Sequence, residues 1–212
     1  MSLSGTILER NEAVLNAMLT HRFVEDVCAD GLPIEVFKRY LAYEGAFVET
    51  AIAIFSFATA RAPDMDAKRW MIGVLDALAN VQVPYFEERY RTLDIERPDT
   101  LPDDARAFDR GMLELAEQGS FLDILTAMFA AEWMYWTWCK RASKIDLSNQ
   151  DLAAWIRLHV DDAFAAQALW LKDAIDRYGV PQDSDRLSQV FGTVTALEIR
   201  FHDAPYVARD VG

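Results

Sequence analysis

The chain has 212 residues, of which 52% are hydrophobic and 26% are charged, as in a globular protein that buries its own core. With 34 acidic and 21 basic residues, its formal net charge is −13, which argues against nucleic acids and anionic membranes as partners. Two cysteines supply neither a disulfide framework nor a zinc motif, and residues 1–5 lack the features of a secretory signal. No stretch approaches the roughly 20 uninterrupted apolar residues that span a bilayer, so a cytoplasmic protein is expected.

Helical periodicity dominates the sequence and predicts one all-α domain, residues 1–212, built as a bundle of about seven helices. Pro84 is expected to kink the third helix, because proline removes a backbone hydrogen bond. The longest irregular connection is expected over residues 94–104. The predicted helices run from about Ser4 to Cys28, Pro33 to Ala62, Asp64 to Tyr90, Ala105 to Gln118, Ser120 to Ser143, Ser148 to Tyr178 and Ser184 to His202.

Two isolated acids lie in apolar helical segments. Glu132 stands within Phe129-Ala-Ala-Glu-Trp-Met-Tyr-Trp-Thr-Trp-Cys139, and Glu198 stands within Val194-Thr-Ala-Leu-Glu-Ile-Arg-Phe-His202. A carboxylate surrounded by rings loses hydration, so its pKa is expected to rise. Such a group is either paired or placed to move protons.

A third acid, Glu44, shares a helical face with apolar residues at spacings of three and four, whereas Glu49 lies off that face. His159 follows Trp155-Ile-Arg-Leu in a later predicted helix. Each of these residues also has a structural explanation. A buried glutamate is more often held by arginine or tyrosine than catalytic, the Trp and Tyr residues of 133–138 suit a core, and His21 suits a helix cap. Three lone acids on three apolar faces nevertheless favour a shared polar cavity.

Four motifs occur in order from His21 to Phe201: His21-x-Phe-Val, Leu32-Pro-x-x-x-Phe-x-x-Tyr-Leu41, Trp155-Ile156 and Glu198-x-x-Phe201. With these motifs the chain resembles the TenA/thiaminase II family. The resemblance implies a haem-oxygenase-like helical bundle that salvages the pyrimidine half of thiamin, without a cofactor or metal. It also implies a homotetramer, for which the aromatic side chains of residues 133–138 are candidate interface residues.

The resemblance also assigns substrate-binding positions. Glu44 occupies the place of the acid that binds the aminopyrimidine ring. Four other residues occupy places where the family has tyrosine, and they are expected to sandwich the flat ring or to add a polar contact. These residues are Phe47, Phe108, Trp136 and His159.

The catalytic positions differ from those of the thiaminases. Glu198 matches the family's C-terminal catalytic glutamate, but Glu132 takes the place of the nucleophilic cysteine. Cys139 lies about 10 Å farther along the helix axis, too far to replace that nucleophile. The chain therefore resembles the branch with glutamate at the cysteine position, whose members are associated with hydrolysis of aminopyrimidine or formylaminopyrimidine products of thiamin breakdown.

On this hypothesis a hydrolase cleaves a C–N bond, with Glu132 as the general base and Glu198 as the proton donor. One alternative is a protein that only binds a flat heteroaromatic ligand. Another is a di-iron oxygenase on the same bundle, although the chain contains no Glu-x-x-His pair. Its available ligands would be Glu44, Glu132, His159, Asp162, Glu198 and His202.

Overall fold

A computed structural model describes residues 2–207, and these residues form helices and turns with no β-strand among them. The all-α prediction is therefore confirmed. The α-helices, in chain order, are α1 (Leu3–Arg10), α2 (Glu12–Leu19), α3 (Arg22–Cys28), α4 (Ile34–Arg61), α5 (Met65–Ala77), α6 (Val83–Leu93), α7 (Asp103–Gln118), α8 (Phe121–Ala142), α9 (Gln150–Leu158), α10 (Asp162–Tyr178) and α11 (Ser184–Asp203).

The prediction of one helix from Ser4 to Cys28 is wrong, because two polar side chains interrupt it. The Asn11 amide nitrogen donates to Ile7 O at 2.9 Å and to Ser188 O at 3.0 Å, which separates α1 from α2. His21 has an extended backbone, and its Nδ1 accepts from the backbone N–H of Phe23 at 3.2 Å. His21 is thus the N-cap of α3, and its predicted capping role is confirmed.

The predicted helix through Tyr90 is a continuous run of helical backbone, but its hydrogen-bond pattern changes just before Pro84. A five-residue π-helical turn, Leu78–Gln82, joins α5 to α6, and Pro84 lies in the first turn of α6. The π-helical turn changes the backbone hydrogen-bond pattern just before the proline, which accommodates its missing N–H within a continuous helix. The expected kink therefore takes the form of a widened turn just before the proline.

The prediction of one helix from Ser148 to Tyr178 is wrong as well. Helix α9 ends at Leu158, with His159 as its C-cap, and α10 begins after Asp161, whose carboxylate accepts from Phe164 N at 2.8 Å. Aspartate is a strong N-cap because it satisfies an otherwise unbonded donor of the first turn.

The chain divides into two compact units. Unit 1 comprises the described residues up to Leu32 together with Leu125–Ile199, and unit 2 comprises Pro33–Ile124 together with the described residues from Arg200 onward. The boundaries fall inside α8 and α11. The single domain predicted from the sequence stays a prediction.

Unit 1 has an aromatic core. The ring of Trp138 stacks on Trp155 at 5.6 Å between centroids and meets the edge of Phe23 at 6.3 Å, which joins α8 to α9 and α3. Trp138 is 1% exposed, so it is a core residue and not the exposed interface side chain that was predicted. At the other end of the unit, Asp176 of α10 accepts from both the backbone N and Oγ of Ser4 at 2.7 Å.

Unit 2 is built around α4, which contacts α5, α6 and α7. Arg61, in the last turn of α4, donates to Ala116 O and to Glu117 O and thereby caps the end of α7. By length and composition α4 is the one described helix that could cross a membrane, with a mean hydropathy of 1.3 in its most apolar window. Since 44% of that window is buried by the protein itself, this hydropathy fits a core helix.

Candidate active site

The carboxyl group of Glu132 is buried in the middle of α8, with 9% of the residue exposed. Its Oε1 accepts from Nε2 of Gln167 on α10 at 3.4 Å, while Oε2 has no hydrogen-bond partner among residues 2–207. Burial raises the pKa of Glu132 to about 8, and the hydrogen bond from Gln167 opposes that rise. The predicted rise in the pKa is thus confirmed.

This pKa determines the main protonation state of Glu132 at neutral pH. A carboxyl group with a pKa of about 8 is mostly protonated at pH 7. A general base acts in its ionised form, which is the minority form of Glu132 at that pH, and the predicted general-base role stays a prediction. The group is suited to donate a proton.

Glu198, on α11, is 1% exposed and also belongs to unit 1. The helices that carry the two acids contact each other through Phe129 of α8 and Phe191 of α11, whose ring centroids are 5.5 Å apart. Phe129 lies three residues before Glu132, and Phe191 lies two helical turns before Glu198. Both predicted catalytic acids are therefore buried on helices that pack together, and their convergence on one pocket stays a prediction.

His159 lies at the end of α9 among aromatic rings. Its Nδ1 is 2.9 Å from Trp155 O, and its ring contacts Trp155, Phe164 and Tyr135 at centroid distances of 4.0, 4.9 and 5.3 Å. One ring nitrogen is thus held by the backbone, which orients the imidazole. Its predicted contact with substrate stays a prediction.

Trp136 is half-buried on α8 and already has two neighbours. Its ring meets Trp133 at 5.2 Å, and Nζ of Lys140 lies 4.2 Å from the centroid of the indole ring. A cation over an indole ring is attracted by the ring's negative face. Lys140 therefore stabilises the Trp136 ring, and stacking of that ring on a substrate stays a prediction.

In unit 2 the predicted ring-binding residues Phe47 and Phe108 touch each other, with centroids 4.7 Å apart. The ring of Phe108 also contacts that of Phe201, with centroids 5.0 Å apart. The Tyr40 ring contacts Phe201 and His202 at centroid distances of 5.9 and 5.4 Å. These five residues form a continuous row of rings. Tyr40 and His202 were not among the predicted site residues, although Tyr40 stands within one motif of the family resemblance and His202 directly follows another.

Glu44 is half-buried on α4, beside a close approach of α6. A Cβ atom added at the neighbouring Gly45 would lie 1.8 Å from Oη of Tyr90 and 2.8 Å from Phe86. Only a residue without a side chain leaves room for these two rings. Gly45 therefore allows Tyr90 to reach the backbone of α4 next to Glu44.

Burial raises the pKa of Tyr90 to about 12. The cation of Arg97 opposes this rise, while the carboxylates of Glu44 and Glu49 add to it. The phenol is therefore neutral at physiological pH and lies within electrostatic reach of Glu44. The sequence analysis did not identify Tyr90, because its proximity to α4 depends on how two helices pack.

Gln167 was also missed by the sequence analysis. It is the single long polar side chain within Ala165-Ala-Gln-Ala168 on α10. The sequence shows this polar residue among alanines, but it does not show that Gln167 bonds to Glu132, 35 residues earlier.

No metal centre is evident among residues 2–207, which contain no group of three or more His, Cys, Asp or Glu side chains able to hold an ion. The six ligands considered for a di-iron site are thus not gathered into such a group. The described geometry gives no support to the oxygenase alternative.

Comparisons with known proteins agree with this architecture. The sequence model of the TENA/THI-4/PQQC family matches residues 9–207. An aminopyrimidine aminohydrolase from Halalkalibacterium halodurans is 23% identical over 218 aligned residues, covering 99% of this chain and 97% of the relative.

Solved structures show the same fold. A TenA homologue from P. horikoshii OT3 superposes with a TM-score of 0.88 at 20% identity, covering 97% of this chain and 99% of that one. A TenA homologue from Pyrococcus furiosus gives a TM-score of 0.85 at 21% identity, covering 96% of this chain and 100% of that one. A Shewanella denitrificans domain with a heme oxygenase-like fold gives a TM-score of 0.75 at 11% identity, covering 93% of this chain and 89% of that one. The haem-oxygenase-like fold predicted from the sequence is confirmed.

Proposed function

Since this chain belongs to the TENA/THI-4/PQQC family, we propose that it is a hydrolase that cleaves a C–N bond of aminopyrimidine or formylaminopyrimidine products of thiamin breakdown. The observation that carries the proposal is the buried carboxyl of Glu132, whose pKa of about 8 keeps a transferable proton at neutral pH. The full-length similarity to an aminopyrimidine aminohydrolase supports the substrate class.

In the proposed reaction, water adds to the carbon that bears the leaving nitrogen, and the C–N bond breaks. One carboxyl of the pair Glu132 and Glu198 protonates the departing nitrogen, and the other accepts the proton that water releases. The pKa of about 8 favours Glu132 as the proton donor. The carboxyl pair then exchanges one proton with solvent to restore the starting state. Two carboxyl groups of opposite protonation state suffice for this chemistry.

Glu44 is proposed to hydrogen-bond the ring nitrogen and the amino group of the substrate, since a carboxylate can accept two hydrogen bonds at once. The proposed ring contacts come from Phe47, Phe108, Trp136 and His159. Because Glu132 replaces a cysteine nucleophile, the protein belongs in this proposal to the glutamate branch and leaves thiamin itself uncleaved. A cytoplasmic homotetramer completes the proposal.

The test is to incubate the purified protein with thiamin, with its aminomethyl pyrimidine and with the formyl derivative, and to identify products by mass spectrometry. We expect hydrolysis of at least one pyrimidine, none of thiamin, and a loss of about 10²–10⁴ in turnover for Glu198→Gln. A rise in melting temperature without any product would favour the binding-protein alternative. If the protein gives no product and shows no thermal shift, both the hydrolase and the binding-protein alternative are contradicted.

A further inference from the structure

The only hydrogen bond to the buried Glu132 carboxyl that the described residues provide comes from the amide of Gln167. Gln167 lies on α10, flanked by Ala166 and Ala168, so this side chain brings an amide donor to an otherwise apolar stretch of helix. A polar side chain facing a buried carboxyl costs desolvation unless the two groups interact.

We propose that Gln167 is a positioning residue that holds Oε1 of Glu132, so that the transferable proton resides on Oε2. The proposal rests on the proposed function and concerns how the same carboxyl is oriented. In a carboxylic acid the carbonyl oxygen is the better acceptor, so an N–H directed at Oε1 makes Oε1 the carbonyl oxygen. The hydroxyl proton is then on Oε2, the oxygen with no partner among residues 2–207.

The length of the hydrogen bond agrees with this role. At 3.4 Å between Nε2 and Oε1 the bond is longer than usual, so it lowers the pKa of Glu132 less than burial raises it. When the proton has left, the same N–H stabilises the resulting carboxylate, because hydrogen bonds to charged acceptors are stronger than those to neutral ones. Gln167 thus favours the ionised state that each proton transfer produces.

The test substitution is Gln167→Met, which keeps a side chain of similar length and removes the N–H donor. Its matched control is Gln189→Met, the same change at an exposed position on α11. Neither substitution alters a titratable side chain, so His159, Glu198 and the other ionisable groups of unit 1 are unchanged. Glu132 is followed by carbon-13 NMR of labelled glutamate carboxyls, and its signal is assigned by its loss in Glu132→Gln.

We expect the titration midpoint of Glu132 to rise in Gln167→Met, because the removed hydrogen bond lowers the pKa in the wild type. We also expect kcat to fall about tenfold with KM changed less than about twofold, since one oriented hydrogen bond is lost at the reacting group. The pH midpoint of kcat should move in the same direction as the NMR midpoint. Gln189→Met should match the wild type in all three measurements.

An unchanged Glu132 titration in folded Gln167→Met, or a shifted titration with unchanged kcat, overturns the proposal. If Gln167→Met does not fold, Gln167→Glu keeps the size and polarity of the side chain. Two neighbouring carboxyls resist joint ionisation, so the Glu132 midpoint must still rise in that variant. The NMR titration needs no substrate, so an enzyme inactive on pyrimidines would refute the proposed function while the titration still decides the role of Gln167.

Discussion

Glu132 of unit 1 and Glu44 of unit 2 are both lone acids on apolar helix faces, but the structure gives them different surroundings. Glu132 is buried, with an amide as its partner, and its pKa rises to about 8. Glu44 is half-buried, beside a neutral phenol and near a row of aromatic rings that begins at Phe47. Similar sequence patterns therefore produce a buried carboxyl with a raised pKa and a half-buried acid near aromatic rings, in keeping with the different roles proposed for them.

The largest expected effect separates these two roles by kinetics. Glu132→Gln should lower kcat about 10²–10⁴-fold, because the transferred proton is lost. Glu44→Gln should act mainly on KM, raising it about tenfold, because a binding contact is lost. Steady-state kinetics on the aminopyrimidine distinguish the two effects.

The control for this pair is Glu49→Gln, which changes an exposed carboxylate on α4 that pairs with Arg97 at 3.5 Å. It should leave both kinetic constants close to those of the wild type. If Glu44→Gln lowered kcat as much as Glu132→Gln, the functional contrast between the units would disappear.

The next effect concerns the pH dependence of folding. The pKa of Glu132 is about 8 in the folded protein against an ordinary value of 4.5, so between these pH values the folded state keeps a proton that the unfolded chain releases. The free energy of unfolding should therefore decrease as pH rises, by at most about 1.4 kcal/mol per pH unit from this group. Glu132→Gln lacks this component, so its stability relative to the wild type should increase from pH 5 to pH 8 in urea titrations.

Glu88, whose pKa is shifted in the opposite direction, tests the sign of this pH dependence of stability. The hydrogen bond from Arg91 lowers the pKa of the exposed Glu88, so this group favours the folded state above its unfolded pKa and loses that effect as the pH falls. Glu88→Gln should therefore differ from the wild type at neutral pH and approach it in acid. If the free energy of unfolding of Glu132→Gln relative to the wild type did not change between pH 5 and pH 8, the Glu132 carboxyl would not be buried as described.

The third effect tests the packing beside Glu44. Gly45→Ala should destabilise the protein by about 1–3 kcal/mol, because the new methyl group overlaps Tyr90 and Phe86. Gly73→Ala, on α5, meets no atom within 4 Å and should stabilise the protein by about 0.5–1 kcal/mol through helix propensity. Urea denaturation measures both, and equal effects of the two substitutions would contradict the close approach of α6 to α4.

The smallest effect lies at Asp109, next to Phe108. Burial raises the pKa of this carboxyl, and Thr50 Oγ1, 2.5 Å away, opposes the rise by donating a hydrogen bond. Thr50→Val should cost about 1–2 kcal/mol at pH 7 and less at pH 4, where a protonated acid accepts more weakly. Thr92→Val removes an exposed hydroxyl bonded only to its own helix and should stay within about 0.5 kcal/mol of the wild type.

Much of the fold followed from local pattern. The spacing of apolar residues predicted α4, α8 and α11 closely, and the apolar neighbours of Glu132 predicted the direction of its pKa shift. These properties depend on residues within a few turns of one another. The breaks at Asn11 and Asp161 were not predicted, because continuous apolar periodicity concealed two side chains that bond to the backbone.

The sequence by itself thus determined the helical class, the main helices and the isolation of the three acids. Only the tertiary structure decided that Gln167 reaches Glu132, that Tyr90 lies over Gly45, and that the pKa of Glu132 rises to about 8. The reason is physical. Helix formation and amphipathicity arise from neighbours along the chain, whereas desolvation and hydrogen-bond partnership depend on atoms from other helices.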